Sequence, residues 1–326
     1  MRVVVTGASP DRRNRNTAMR GYVAEGFAEL VGISSVEHVP LENAVATIDR
    51  FRPEIVLCFG SCMPDEVNYI PLRRSCDHTG AALAFWLHDD PYEFDFHFKV
   101  LDVADYIFSN DSWATLHYDH PRAFHLPMAA SRSAHWRPAS ANRDIDVFFC
   151  GVAFRNRIAL LSDLKRILSH YKTTVLGDQW PRRRLPFARN ERLSNAALAD
   201  HYSRALVTLN IGRDFHYAND RFQLSPATPG PRTFEAAMAG ATQLYFVDSL
   251  EITDYYEPGS EVLLFDSVAD FEGQLEALVH DRERAIAVGA AAQRRSERDH
   301  TYRRRVETLV ATVTGTGSRG GDALSL

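Results

Sequence analysis

The sequence predicts an α/β protein made of two doubly wound parallel-sheet domains in tandem. Three observations carry this expectation. Short runs rich in Val, Ile and Phe alternate with longer amphipathic stretches, as strands and helices do in βαβ units. The runs are apolar throughout rather than at every second position, which suits parallel strands buried on both faces. The scheme also restarts near the middle of a chain of 326 residues, longer than one core comfortably serves.

In the first half, strands are expected at 3–6, Ile55–Gly60, Ala82–Leu87 and Tyr106–Ser109, with helices at 17–31 and 42–51. Pro138-Ala139-Ser140-Ala141-Asn142 suits a linker. The domain boundary is therefore set there, giving domains 1–142 and 143–296. In the second half, strands are expected at 146–151, 173–176, 205–211, 242–247 and 262–265, with helices at 158–170, Asn195–Arg204 and 233–239. Segment 268–312 reads as helical. Residues 297–326 are assigned to a C-terminal helix and a Gly- and Ser-rich tail expected to be disordered from 315 onward. Ligands of open parallel sheets bind at the carboxyl ends of the strands, so the two domains are expected to face each other across a binding cleft.

Composition removes several alternatives. Hydrophobic residues make up 45% and charged residues 24%, ordinary globular usage that excludes a disordered or fibrous chain. Eighteen apolar residues never run together, so no membrane span is expected, and the N-terminal MRVVVTGASP lacks the apolar core of a secretion signal. A cytoplasmic protein is the expectation. Four irregularly spaced cysteines, Cys58, Cys62, Cys76 and Cys150, suit buried free thiols better than disulfides or zinc ligands. A net charge of −5 argues against a nucleic-acid partner, so the clusters Arg12, Arg13, Arg15 and Arg182, Arg183, Arg184 are local features. The sequence leaves the oligomeric state open.

Thr6-Gly7-Ala8-Ser9 follows the first strand as in dinucleotide-binding units. Pro10, Asp11, Arg12 and Arg13 stand where further glycines would be needed, and no Tyr-x-x-x-Lys pair follows, which disfavours a dehydrogenase. The strongest motif is Pro229-Gly230-Pro231-Arg232-Thr233-Phe234-Glu235-Ala236-Ala237-Met238-Ala239-Gly240. Pro231 starts a helix, and the N–H groups from Gly230 to Thr233 are candidates to hold an anion. Arg232 adds fixed positive charge suited to a diphosphate, and Glu235 offers a carboxylate to both hydroxyls of a ribose. Trp180, past a strand end, is a candidate to stack on a nucleobase. His88-Asp89-Asp90-Pro91 follows the strand Ala82–Leu87, where His88, Asp89 or Asp90 would serve as a general base. A metal held by Asp89, Asp90, Asp95 and His97 is the weaker alternative. The polar loop with Asp214, His216, Tyr217, Asn219, Asp220 and Arg221 follows another strand end, with no individual roles assigned.

The run Arg232-Thr233-Phe234-Glu235-Ala236-Ala237-Met238-Ala239-Gly240-Ala241 resembles the donor-site helix of GT-B glycosyltransferases, above all the CgeB-like spore-maturation glycosyltransferases. Asp146–Gly151 with Arg155 and Arg157, the stretch 176–180, the Leu-Asn strand ending near Asn210, and the stretch 255–262 are similar to that family in the expected order. Phe85-Trp86-Leu87-His88-Asp89-Asp90-Pro91 adds a local match in the first half. The resemblance implies a GT-B fold with a nucleotide-sugar donor, expected to be a UDP-sugar, in the C-terminal domain, with Arg155 and Asn210 among its contacts. It also implies a small-molecule acceptor, such as a natural product or nucleoside, in the N-terminal domain, with no essential metal and no cofactor beyond the co-substrate. Ala227 stands where many retaining members carry a second glutamate. That departure leaves the anomeric outcome open, and it keeps a non-catalytic sugar-nucleotide-binding or spore-coat-type protein as the alternative.

Overall fold

The computed structural model describes residues 1–13, 17–63, 67–138 and 142–315. Arg15 of the first basic cluster, the middle of the expected linker and all but the first residue of the tail lie outside them. The chain divides into two compact units, Met1–Leu126 with Tyr302–Leu326, and Pro127–Thr301.

Among the described residues, the first unit holds a six-stranded sheet of β1 (Arg2–Gly7), β2 (Ser35–His38), β3 (Ile55–Gly60), β4 (Ala82–Leu87), β5 (Tyr106–Ser109) and β6 (Ala123–His125) in the order β2-β1-β3-β4-β5-β6. Every pairing is parallel. β3 is buried along its whole length, and β1 everywhere but Arg2, as near-continuous apolar strands require. The order reverses between β1 and β3, the switch point of such a sheet.

The second unit has β7 (Ile145–Cys150), β8 (Thr173–Gly177), β9 (Ala188–Asn190), β10 (Ala205–Asn210), β11 (Gln243–Phe246) and β12 (Leu263–Phe265) in the order β12-β11-β10-β7-β8-β9, again all parallel. Its switch point lies between β7 and β10. Alternation along β7 sends Val147 and Phe149 to one face, with Leu161, Val175 and Phe271, and Phe148 to the other, with Leu198 and Ala236. Gly177 lets the ends of β7 and β8 meet: its φ is +138°, and a Cβ there would stand 1.9 Å from the carbonyl oxygen of Gly151.

Three strands were not expected from the sequence: β2, β6 and β9. All three are short edge strands whose residues, SVEH, AFH and ARN, offer no apolar run. The expected boundaries also shift. Segment 127–137 belongs to the second unit, where Arg137 pairs with Asp200 at 2.5 Å and donates to the Ala196 carbonyl. The 268–312 stretch is three helices, Val268–His280, Arg282–Asp299 and Tyr302–Thr314. The last of these joins the first unit, packed so closely on the helix Thr17–Ala28 that a Cβ on Gly26 would stand 2.9 Å from the Arg303 nitrogen. All four cysteines are free thiols. Among the described residues, no helix is long and apolar enough to cross a membrane.

Candidate functional site

In the second unit, the carboxyl ends of β7 and β10 and the helix Pro231–Met238 bring several expected residues together. Gly230 caps this helix with extended backbone (φ −69°, ψ 169°), and Pro231 opens it. The Thr233 N–H bonds back to the Gly230 carbonyl at 3.1 Å, and Pro231 has no N–H. The backbone donors left for an anion are therefore those of Gly230 and Arg232, fewer than the sequence led us to expect.

Glu235 lies on this helix, 4% exposed. Its Oε2 accepts from Arg232 Nη1 at 2.9 Å, while the Arg232 side chain stays 46% exposed. Asn210, at the end of β10, donates to Thr233 Oγ1 at 2.7 Å and to Gln243 Oε1 at 2.9 Å, and Gln243 Nε2 donates to the Thr233 carbonyl at 3.0 Å. Asn210 and Thr233 thus fasten the start of the helix to the sheet, and Gln243, which the sequence reading missed, completes the link.

Arg155 begins the helix Arg155–Asp163 and is exposed. Arg157 spans the two strand ends by donating to the carbonyls of Ile211 and Gly212, with its guanidinium over the Phe149 and Phe154 rings. In the polar loop after β10, Asp214 accepts from the Asn156 N–H at 3.1 Å, Phe215 stacks on Phe154, and buried Asn219 brackets Leu224 with two hydrogen bonds.

Trp180 corrects the sequence reading. It is 3% exposed, edge-on to Phe149, and its indole N–H points to the carbonyls of Gly151 and Leu176 at 3.0 and 3.3 Å. Both faces are spent in the core, so none is left for a base. Trp180→Phe should therefore cost about 1–3 kcal/mol of stability through the unpaired carbonyl and lost volume. Nucleotide affinity should stay within about twofold; a tenfold loss by calorimetry at unchanged stability would restore the stacking role.

In the first unit, His88-Asp89-Asp90 sits at the carboxyl end of β4. His88 is packed edge-on to Phe59, and its Nδ1 lies 3.3 Å from Asp89 Oδ2. Asp89 keeps 26% of its side chain exposed. Asp90 is buried, its Oδ2 accepting from Ser109 Oγ and Tyr118 Oη, both at 2.7 Å, while Asn110 brackets its backbone. Burial pushes the Asp90 carboxyl up to about 7, against the pull of the two hydroxyls and with help from the charges of Asp111 and Asp89. Repulsion by the neighbouring Asp89 is a smaller contribution than burial.

The folded pKa of Asp90 is above the unfolded value of about 3.9, so its contribution to stability is complete below that value and is lost as pH rises towards 7. Asp90→Asn keeps an acceptor for both hydroxyls and cannot ionise. Its melting temperature should gain on the wild type between pH 4 and 7.5; a constant difference would contradict the buried titration. Asp89, Asp90, Asp95 and His97 do not converge: among the described residues, no three His, Cys, Asp or Glu side chains group so as to hold a metal ion.

Residues 155–311 match the model of a family described as glycosyl transferase-like. The spore protein CgeB of Bacillus subtilis (strain 168) is 21% identical over 267 residues, covering 77% of this chain and 80% of CgeB. Anabaena HepE, solved in complex with UDP and glucose, aligns with a TM-score of 0.63 at 9% identity over 97% of this chain and 100% of its own. A UDP-N-acetylglucosamine 2-epimerase aligns with a TM-score of 0.56 at 14% identity over 100% and 99%. The structural likenesses establish a two-domain α/β fold of the GT-B type.

Proposed function

We propose that this chain, a glycosyltransferase of the GT-B fold similar to CgeB, moves a sugar from a UDP-sugar to a hydroxyl of a small-molecule acceptor without a metal ion. The observation that carries the reading is the Arg232–Glu235 pair on the helix Pro231–Met238. A cation stands at an open helix start and a buried carboxylate lies one turn further, beside the switch point of the sheet. In this reading the Gly230 and Arg232 N–H groups and the guanidinium of Arg232 hold the diphosphate. Exposed Arg155 is a further cation for it, and Glu235 accepts from the ribose hydroxyls. Asn210, Thr233 and Pro231 keep that helix start in place. UDP and glucose bound to HepE support the donor class.

Leaving-group charge would then be met by guanidinium and backbone dipoles. The acceptor is assigned to the first unit, with the His88–Asp89 pair as the proton acceptor.

The test is a thermal-shift panel of nucleoside diphosphates and nucleotide sugars on the full chain, followed by turnover with and without EDTA. A ligand at a hundred times its Kd stabilises by about 2.7 kcal/mol. UDP and one UDP-sugar should give such a shift, with transfer undiminished by chelation. No shift with any uridine nucleotide would refute the donor, and activity lost to EDTA and regained with magnesium or manganese would refute metal independence. UDP-N-acetylglucosamine epimerised without an acceptor would point instead to the chemistry named for the 2-epimerase neighbour.

A further inference from the structure

His135 lies far from the donor motif in sequence and outside the domain to which the sequence assigned that motif. The structure brings it to Glu235. It ends the short helix Arg132–His135, capped by Ser131 Oγ on the Ala134 N–H. The segment is tied to its surroundings: Arg132 reaches Glu297 at 3.1 Å, and Gln293 donates both to the Arg137 carbonyl at 2.7 Å and to the Met238 carbonyl at 2.8 Å, at the end of the donor helix.

The imidazole is 1% exposed, and its Nδ1 is 3.1 Å from the Ser131 backbone N–H. A ring nitrogen that accepts from an N–H carries no proton, so the single proton of a neutral imidazole sits on Nε2. Burial pushes the His135 pKa down ahead of the opposing pull of Glu235, which keeps the ring in that neutral form. Nε2 lies 3.8 Å from Glu235 Oε1, the oxygen that Arg232 does not hold.

We propose that His135 is a positioning residue for the donor: its Nε2–H faces Oε1 of Glu235 while Arg232 holds Oε2, and together they fix the carboxylate in the orientation that meets the ribose. The proposal rests on the reading of Glu235 as the ribose-binding group. A carboxylate gripped at one oxygen still swings about that contact. At 3.8 Å the buried Nε2–H is too far for a hydrogen bond to the other oxygen, but where screening by water is weak its dipole still biases the carboxylate towards one orientation. Without it, Glu235 keeps its charge and loses its aim, so the loss should fall on discrimination of the ribose hydroxyls rather than on diphosphate binding.

The experiment compares UDP with 2′-deoxy-UDP by calorimetry on the full-length wild type, His135→Ala, His135→Leu and His135→Gln. The wild type should prefer UDP by about tenfold or more, the value of a hydrogen bond to a charged acceptor. His135→Ala should reduce that preference below about threefold while still binding 2′-deoxy-UDP at close to wild-type strength. His135→Gln, which brings an amide N–H, should recover part of it. If the alanine variant does not fold, His135→Leu, which fills the space without a donor, takes its place. A preference retained in the Ala or Leu variant overturns the proposal alone, and a wild type that does not discriminate overturns the ribose reading of Glu235 and the proposal with it.

Discussion

Glu235→Ala is expected to weaken UDP binding by about ten- to a hundred-fold and to leave the protein folded. A hydrogen bond to a charged group contributes about 1.5–3 kcal/mol, and 1.4 kcal/mol is a factor of ten in affinity. The fold should survive because position 235 lies in a helix that alanine favours, between Phe234, Ala236 and Ala237, which carry the packing. Part of the loss will be returned. Arg232, released from the 2.9 Å contact with the carboxylate, becomes free to engage the diphosphate alone. The deficit should therefore be larger for uridine than for UDP, a contrast that calorimetry reads directly. Unchanged affinity for both ligands would end the assignment of Glu235 to the ribose.

The parts of this site legible in the sequence are those fixed by neighbours along the chain. Pro231 and Gly240 bound a helix by their own backbone preferences, and Arg232 meets Glu235 because residues three apart share a helix face. The long buried strands were legible for the same local reason. Trp180 was not, because a tryptophan after a strand end has the same sequence whether it faces solvent or core. The carbonyls of Gly151 and Leu176 decide it. His135 and Gln243 reach the site only through tertiary contacts with Glu235, Asn210 and Thr233, and no spacing rule connects them to these partners. The boundary near 142 rested on composition, whereas the interactions of Arg137 and Gln293 draw the preceding segment into the second unit.

If transfer inverts the anomeric centre, His88→Gln and Asp89→Asn are each expected to lower turnover by about 10²–10⁴ while leaving UDP affinity nearly unchanged, the signature of a lost general base. The three residues of this turn, grouped as candidates by sequence, are separated by the structure. Asp90 is buried and holds the Ser109 and Tyr118 hydroxyls, so Asp90→Asn should act chiefly on stability and its pH dependence. Asp89 and His88 face each other at 3.3 Å, with Phe59 against the imidazole. We propose that this carboxylate orients the imidazole so that Nε2 can take the proton lost by the acceptor, the division of labour of a His–Asp pair. Because the two act as one unit, the double variant should be little worse than the poorer single one. Near-normal turnover in both single variants would make the turn structural. Product NMR showing retained configuration would remove the need for a base, and Ala227, in place of a second glutamate, would then be the position to examine.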